Sequence, residues 1–282
     1  MACNWQAFLN LVPPRLRGEV DKLGKEQLQE LRLRLQGEPE LVLCRESKWL
    51  PGPVTMDDLS YCINAATKYS PWAAASAAKG YVTAPGGHRL GLCGQTAVVD
   101  GQVRSIQPVT SINLRVCREI SGIANAMASL RGSVLIIGSP GTGKTTLLRD
   151  YIRVLSDVCQ ERVAVVDERQ EIFPQQGLSW GFHSGNRTDI LSGCPKVAGI
   201  EAVLRNMNPD TIAVDEITAG EDCTAMLRAG WCGVRQIATA HAGNKQDLLC
   251  RRLYKPLVES GLFENLIVLQ KDKTWYKERM IL

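Results

Sequence analysis

Apolar residues follow two different spacings in the first part of the chain. Between residues 5 and 30 they recur every three or four positions, with a break at Pro13-Pro14, whereas residues 31–35 alternate strictly between apolar and polar. The first spacing is typical of an amphipathic helix and the second of a half-buried strand. A turn at 36–39 and the apolar run 41–44 predict that a second strand returns alongside the first.

Two more helices are predicted next. Thr55-Met56-Asp57-Asp58 has the form of a capping box, and apolar residues at helical spacing follow it. The alanine-rich stretch 72–79 predicts a shorter helix that ends at Gly80.

Short strands dominate the following segment. The candidates are 81–83, 89–92, 97–99 and 102–106. Asp100-Gly101, between the last two, is a strong signal of a tight β-hairpin. Together with the preceding helices, these strands predict a small α+β domain over residues 1–110.

The remainder, residues 111–282, alternates strands with helices. The predicted strands are 133–137, 163–167, 211–215 and 236–239, and the predicted helices are 118–130, 145–152, 197–207, 220–230 and 245–259. This alternation predicts a mainly parallel, doubly wound α/β sheet, with 266–269 and 274–276 as a hairpin at its edge. Residues 108–115 are predicted to join the two domains, and 169–195 to form a long loop.

Composition places few limits on function. The net charge is +4, with 45% hydrophobic and 22% charged residues, which permits contact with nucleic acid or acidic lipids without indicating either. No apolar run approaches the roughly 20 residues of a transmembrane helix, and the N-terminus lacks the pattern of a signal peptide. Ten cysteines without a C-x-x-C pair indicate neither a zinc ribbon nor a thioredoxin-like motif, and a reducing cytosol is the expected compartment.

The clearest chemical signal is the stretch 138–145, which matches the P-loop pattern G-x-x-x-x-G-K-[ST] between a predicted strand and a predicted helix. Its glycines allow backbone N–H groups to surround a phosphate, and the helix N-terminus adds partial positive charge. We predict that ATP is bound by Gly138, Ser139, Pro140, Gly141, Thr142, Gly143, Lys144, Thr145 and Thr146. Lys144 would reach the β- and γ-phosphates, and the Thr145 hydroxyl would hold Mg²⁺.

Two strands of the predicted sheet end in a pair of carboxylates. Asp215 can bind Mg²⁺, and Glu216 beside it can polarise the attacking water. Asp167 and Glu168 end the preceding strand, and both pairs are expected near the nucleotide because ligands collect beyond the carboxyl ends of parallel strands. Either glutamate can be the base, and a surface salt-bridge cluster with Arg169 is the alternative for Glu168.

Further polar groups can complete such a site. His241 follows the fourth strand, where it can respond to the γ-phosphate; the alternative is a core histidine bonded to a backbone carbonyl. A motor ATPase often uses a guanidinium from elsewhere in the chain or from a neighbour. The arginine candidates are Arg89, Arg115, Arg118, Arg187 and Arg205.

Four motifs together resemble the Walker A, Asp box, Walker B and His box of type II and type IV secretion ATPases. They are the P-loop, Asp167-Glu168-Arg169, the run 204–210 leading into Asp215-Glu216, and Thr239-Ala240-His241-Ala242. The sequence is more similar still to the stage III sporulation protein AA family, through the stretches 31–34, 86–91, 111–115 and 187–196.

The resemblance implies a RecA-like P-loop ATPase domain, preceded by the smaller α+β domain, that hydrolyses ATP with Mg²⁺. It also implies a homo-oligomer, a hexameric ring, in the cytoplasm of a mother cell. The ring would be peripheral at the membrane through membrane proteins of the channel to the forespore. The expected catalytic residues are Glu216, Glu168, His241, Arg89 and Arg115, and the expected Mg²⁺ ligands are Thr145 and Asp215. Walker B ends here in Asp-Glu, where secretion ATPases often have Gly-Glu, so the division of labour between these two carboxylates stays open.

Two other functions are alternatives to the motor. An ATP-dependent nucleic-acid-binding protein or translocase would need a basic groove studded with aromatic residues. The candidate segment, 271–279, is short and carries interleaved acids, so nucleic acid is the disfavoured partner. A P-loop scaffold that binds ATP without hydrolysing it is disfavoured by Glu216.

Overall fold

The computed structural model describes residues 3–44, 46–67, 80–176 and 179–280. The chain divides into two compact units, one made of Met1–Glu119 with Gln176–Gly181 and the other of Ile120–Gln175 with Phe182–Leu282. The predicted helix at 72–79 lies outside the described residues.

Among its described residues, the first unit combines three α-helices with one antiparallel sheet. The helices are α1 (Trp5–Leu11), α2 (Pro14–Gln27) and α3 (Met56–Thr67), and the strands are β1 (Leu28–Arg34), β2 (Glu40–Leu43), β3 (Ser47–Trp49), β4 (Tyr81–Thr83), β5 (Arg89–Val99) and β6 (Gln102–Arg115). The strands lie in the order β3-β2-β1-β6-β5-β4, and α2 and α3 pack on the sheet. The break at Pro13-Pro14 is confirmed, because α2 begins at the second proline, where a missing N–H costs nothing.

The capping box at the start of α3 is confirmed. The Asp58 N–H donates to Thr55 Oγ1 at 3.2 Å, and the Thr55 N–H donates to the Asp58 carboxylate at 2.9 Å. Arg15 also pairs with this carboxylate at 2.6 Å, and the pKa of Asp58 falls because these partners outweigh the cost of burial.

The hairpin at Asp100-Gly101 is also confirmed, with φ angles of 52° and 73° at its two turn residues. The segment 108–115, which we expected to join two domains, is instead the second half of β6. It pairs with β1 on one side and β5 on the other, and it buries Ile112 and Leu114 in the core of the first unit. The first unit therefore continues to Glu119 instead of ending near residue 110.

The second unit is built around a seven-stranded sheet. Its strands are β7 (Ser133–Gly138), β8 (Val163–Asp167), β11 (Thr188–Ser192), β12 (Thr211–Glu216), β13 (Arg235–Ala240), β14 (Phe263–Leu269) and β15 (Trp275–Arg279). The short strands β9 (Gln175–Gln176) and β10 (Ser179–Trp180) form a separate two-stranded ladder, which apart from Gln175 belongs to the first unit. The order is β11-β8-β12-β13-β7-β14-β15, parallel except for β15. The predicted parallel sheet with an antiparallel hairpin at its edge is confirmed.

Five helices accompany this sheet among the described residues. They are α4 (Lys144–Asp157), α5 (Lys196–Asn206), α6 (Gly220–Trp231), α7 (Lys245–Cys250) and α8 (Lys255–Glu259). The helix α4 crosses the middle of the sheet and contacts β7, β13, β12 and β8, so its first turn lies where these strands end. No helix in the described part of the chain is long and apolar enough to cross a membrane.

Three predictions for the second unit were wrong. Residues 118–130 form no α-helix, only a 3-10 turn over Asn125–Met127, because Gly122 adopts a φ of 90° and the Ala124 N–H donates to the side chain of Asp150. The predicted helix 245–259 is divided into α7, a 3-10 turn and α8, because Pro256 has no N–H for a continuous helix and lies instead in the first turn of α8, where none is needed. The expected loop 169–195 contains β11, a half-exposed edge strand with a weak alternating pattern.

Candidate functional site

The P-loop lies between β7 and α4, at the carboxyl edge of the parallel sheet. Gly138 allows close approach, because a Cβ there would lie 2.6 Å from Thr142 Oγ1 and 3.1 Å from the Leu269 carbonyl oxygen. Gly143 has a φ of 105°, which favours glycine, and it directs the chain into the first turn of α4. The unpaired N–H groups of that turn therefore face the loop, as phosphate binding requires.

Lys144 is nearly buried, with 7% of the residue exposed. Its ammonium donates to the carbonyl oxygens of Gly138 at 2.8 Å and Ser139 at 3.2 Å. Burial lowers the pKa of Lys144, while the nearby charges of Glu216 and Asp215 act in the opposite direction. The lysine is thus fixed at the base of the P-loop, beside the two acids that end β12.

A hydroxyl and a carboxylate stand together at the expected Mg²⁺ position. Thr145 Oγ1 lies 3.4 and 3.5 Å from the two carboxylate oxygens of Asp215, and Thr239 Oγ1 donates to that carboxylate at 2.9 Å. Burial raises the pKa of Asp215, which a bound cation would reverse. Two ligands at right angles around Mg²⁺ lie about 3 Å apart, so a small approach of these two oxygens from 3.4 Å would let both bind one ion.

Mg²⁺ usually keeps several water and phosphate ligands and takes few from protein. Among the described residues there is no group of three or more His, Cys, Asp or Glu side chains placed to hold a metal ion.

His241 connects Lys144 with Glu216. Its Nδ1 lies 3.1 Å from the Lys144 ammonium and its Nε2 lies 2.8 Å from a Glu216 carboxylate oxygen. Because the ammonium can only donate, Nδ1 accepts, and Nε2 carries the proton that is donated to Glu216. The backbone N–H of His241 also donates to the Tyr254 hydroxyl at 3.3 Å. The structure thus places His241 in a polar chain at the P-loop, not in the core.

Asp167 has a structural role that the sequence did not predict. Its carboxylate is fully buried and accepts backbone N–H bonds from Glu171 at 2.9 Å, Ile172 at 3.0 Å and Phe173 at 2.8 Å. Burial raises its pKa to about 6, although the three N–H donors favour the ionised form. Asp167 therefore anchors the loop that follows β8 rather than presenting a charge to a ligand.

Glu168 pairs with Lys196, whose ammonium lies 2.8 Å from the carboxylate and 3.6 Å from Asp222. Only 5% of Lys196 is exposed, so the pair is held firmly at the start of α5. The alternative expected for Glu168 is a salt-bridge cluster with Arg169, whereas the partner observed in the structure is Lys196. In the sequence, this lysine is marked only by its place in Cys194-Pro195-Lys196, at the end of the stretch 187–196 that resembles the family.

The candidate arginines are distributed over both units. In the first unit, Arg115 pairs with Glu30 at 3.2 Å, Arg89 lies over the Tyr81 ring at 4.3 Å, and Arg118 donates to backbone carbonyls of Lys25 and Leu28. In the second, Arg205 is largely exposed and lies 4.0 Å from Glu201, while the Arg187 carbonyl accepts a hydrogen bond from Val163.

The sequence matches a known protein family over almost its whole length. The family model described as sporulation stage III, protein AA matches residues 6–281. The chain is 32% identical to stage III sporulation protein AA of Bacillus subtilis (strain 168), over 93% of this chain and 90% of that protein. It is also 32% identical to Protein SEEDLING PLASTID DEVELOPMENT 1 of Arabidopsis thaliana, over 83% of this chain but only 33% of that longer protein.

Solved structures that share the fold include an ATPase and a pilus motor. The Legionella pneumophila ATPase DotB matches with a TM-score of 0.57 at 17% identity, over 95% of this chain and 80% of that chain. The pilus retraction motor PilT, solved with bound ADP, matches with a TM-score of 0.57 at 13% identity, over 90% and 76%. The predicted RecA-like α/β fold with a smaller α+β domain before it is thereby confirmed. Since the family model covers nearly the whole sequence, the chain belongs to the sporulation stage III protein AA family.

Proposed function

We propose that this chain binds ATP at residues 138–146 and hydrolyses it with Mg²⁺. The observation that carries the proposal is the meeting of three groups at one P-loop: the Lys144 ammonium, the Thr145–Asp215 oxygen pair, and the His241–Glu216 hydrogen bond. A scaffold that only bound nucleotide would need the first two groups and not the third.

Each group has a defined role in this proposal. The loop N–H groups and the N-terminus of α4 bind the phosphates, and Lys144 offsets the negative charge of the β- and γ-phosphates. Glu216 accepts a hydrogen bond from the attacking water, and the Nε2–H of His241 orients that carboxylate. Mg²⁺, held by Thr145 and Asp215, would neutralise charge on the phosphate oxygens.

We further propose that hydrolysis drives a secretion-like transport apparatus during sporulation. The family supports the sporulation role, since its Bacillus subtilis member is a stage III sporulation protein. The fold supports the motor, since DotB is described as an ATPase and PilT as a pilus retraction motor. The active form would be a homohexamer in the mother-cell cytoplasm, peripheral at the membrane through membrane proteins of the channel to the forespore.

The nucleotide site is tested by Lys144→Ala. The variant should lose measurable ATP binding in calorimetry and all Mg²⁺-dependent phosphate release, because the ammonium, held at the Gly138 and Ser139 carbonyls, supplies the positive charge that would meet the β- and γ-phosphates. Lys22→Ala, at an exposed lysine in the first unit, is the control and should bind ATP normally. Unchanged ATP affinity in Lys144→Ala would remove the basis of the proposal.

The transport role is tested in a spore-forming host. A strain that carries Lys144→Ala in place of its own gene should arrest at the same stage as a deletion strain, with the protein present at normal levels. Normal spore formation by that strain would show that the protein's role in sporulation does not require ATP binding.

A further inference from the structure

The turn of the β14–β15 hairpin lies directly beside the P-loop. Because β14 runs parallel to β7 and pairs with it in register, Leu269 stands opposite Gly138 at the end of both strands. The chain then turns through residues 270–274 at the same edge of the sheet. From this turn the Lys273 ammonium donates a hydrogen bond to the Gly141 carbonyl, in the centre of the P-loop.

The turn holds Lys273 in an unusual backbone conformation. Its φ is 73°, a region that favours glycine, and the Lys273 N–H donates to the Gln270 carbonyl at 3.1 Å. Asp272 accepts from both the N–H and the hydroxyl of Thr274, at 2.9 and 2.6 Å, which closes the turn from the other side. A lysine at a position where glycine would be less strained suggests that its side chain is needed.

The contact fixes the direction of one peptide group. The carbonyl of Gly141 and the N–H of Thr142 belong to the same planar trans peptide, so they point to opposite sides. The Thr142 N–H is directed at the Ser139 carbonyl at 3.3 Å, and the Lys144 ammonium approaches the same carbonyl at 3.2 Å. Lys273 thus holds one end of the peptide while the other end faces the side occupied by Lys144.

From this geometry we infer that Lys273 is a positioning residue for nucleotide binding, which orients the Gly141–Thr142 peptide so that the Thr142 N–H, bonded here to the Ser139 carbonyl at 3.3 Å, can exchange that partner for a phosphate. The inference rests on the proposed nucleotide-binding function. P-loop N–H groups bind the α- and β-phosphates, which ADP and ATP share. The role of Lys273 is therefore the same for both nucleotides, and it does not extend to the chemical step.

The test measures the affinity for ADP and for a non-hydrolysable ATP analogue by calorimetry. Lys273→Ala should weaken both by the same factor, about three- to tenfold, which is the range for losing one oriented hydrogen bond. Lys273→Gly should do the same, although glycine adopts a φ of 73° without steric strain. With ATP as substrate, both variants should raise KM and leave kcat unchanged.

Two matched variants separate this role from charge alone. Lys271→Ala removes the same charge from the same turn and should leave both affinities unchanged. Lys273→Arg keeps a cationic donor and should restore affinity to within about twofold of the wild type. Equal weakening by Lys271→Ala would indicate a general electrostatic effect and overturn the inference.

Other outcomes also contradict it. A loss confined to the ATP analogue would mean that Lys273 touches the γ-phosphate directly, and unchanged affinity in Lys273→Ala and Lys273→Gly would mean that the contact does not matter. If Lys144→Ala abolishes binding while the Lys273 variants bind normally, only this inference fails. If Lys144→Ala also binds normally, the proposed function fails first.

Discussion

At the scale of single residues, Glu216 and Glu168 are distinguished by their partners. Glu216 accepts a hydrogen bond from His241 at 2.8 Å, whereas Glu168 is paired with the buried ammonium of Lys196 at the same distance. Glu168 is thus already paired with a lysine away from the P-loop lysine, whereas the partner of Glu216, His241, also contacts Lys144. We therefore propose Glu216 as the group that activates water.

This choice predicts a contrast between two variants. Glu216→Gln should bind ATP with near-normal affinity and hydrolyse it roughly 10²- to 10⁴-fold more slowly, the usual loss on removing a general base. Glu168→Gln, which removes the same charge, should keep turnover within a few-fold of the wild type. Steady-state phosphate release and ATP calorimetry measure both quantities. If Glu168→Gln is the slow variant and Glu216→Gln is not, the Asp-box glutamate is the base.

At the scale of the elements, His88 shows how a family-specific motif can serve the fold. The residue is fully buried, and its Nδ1 accepts from the Cys117 N–H while its Nε2 lies 3.0 Å from the Asn4 carbonyl oxygen. It thereby joins the start of α1 to the chain just beyond β6, and its ring packs on Phe8. Protonation would place two N–H groups against each other, which agrees with a pKa that burial lowers to about 4.

The depressed pKa predicts a pH dependence of stability. The unfolded chain binds a proton at His88 below about pH 6.5, whereas the folded chain does so only below about pH 4, so the free energy of unfolding falls as the pH falls through this window. Relative to His88→Asn, which does not titrate, the wild type should lose about 2 kcal/mol between pH 7.5 and pH 5. Urea unfolding followed by tryptophan fluorescence measures the difference. The exposed His183, changed to Asn, is the control, and a difference that stays constant with pH would contradict the prediction.

The order of strands and helices in the second unit was predictable because each buried strand is a continuous apolar run followed by turn residues. The failures were local. At 118–130 the predicted helix does not form, because Gly122 has a positive φ and the Ala124 N–H donates to Asp150, a residue distant in sequence. Sequence placed Lys144, Thr145 and Asp215 by their motifs, but it could not show the contacts of Lys196 or Lys273, because a lysine in a turn or a first helical turn has no distinctive pattern.

At the scale of the whole molecule, the catalytic candidates are divided between the two units. The P-loop and both candidate bases belong to the second unit, whereas Arg89 and Arg115 belong to the first. A guanidinium placed on the γ-phosphate increases the rate of phosphoryl transfer roughly 10³- to 10⁵-fold, so the site described around Lys144 is expected to be slow without one.

We predict that this arginine is supplied when copies of the chain assemble into a ring. Arg115 is a suitable donor because its side chain is largely exposed and its partner, Glu30, leaves part of the guanidinium accessible. If the donor comes from a neighbouring copy, ATP turnover per chain should rise with protein concentration, and the chain should be mainly monomeric when dilute and without nucleotide. ATP contacts that exist only in the assembled form would offset the entropy that the chains lose on assembly.

Arginine variants test this prediction directly. Arg89→Ala or Arg115→Ala should lower kcat at least tenfold while changing ATP affinity little, because the guanidinium acts on charge that develops in the transition state. Arg205→Ala, at an exposed arginine of the second unit, is the control and should keep normal turnover. Sedimentation measures the assembled fraction and phosphate release measures ATP turnover per chain, and the two should rise together over the same range of protein concentrations. A fully active monomer, with turnover independent of concentration and of both arginines, would show that the second unit completes its own site.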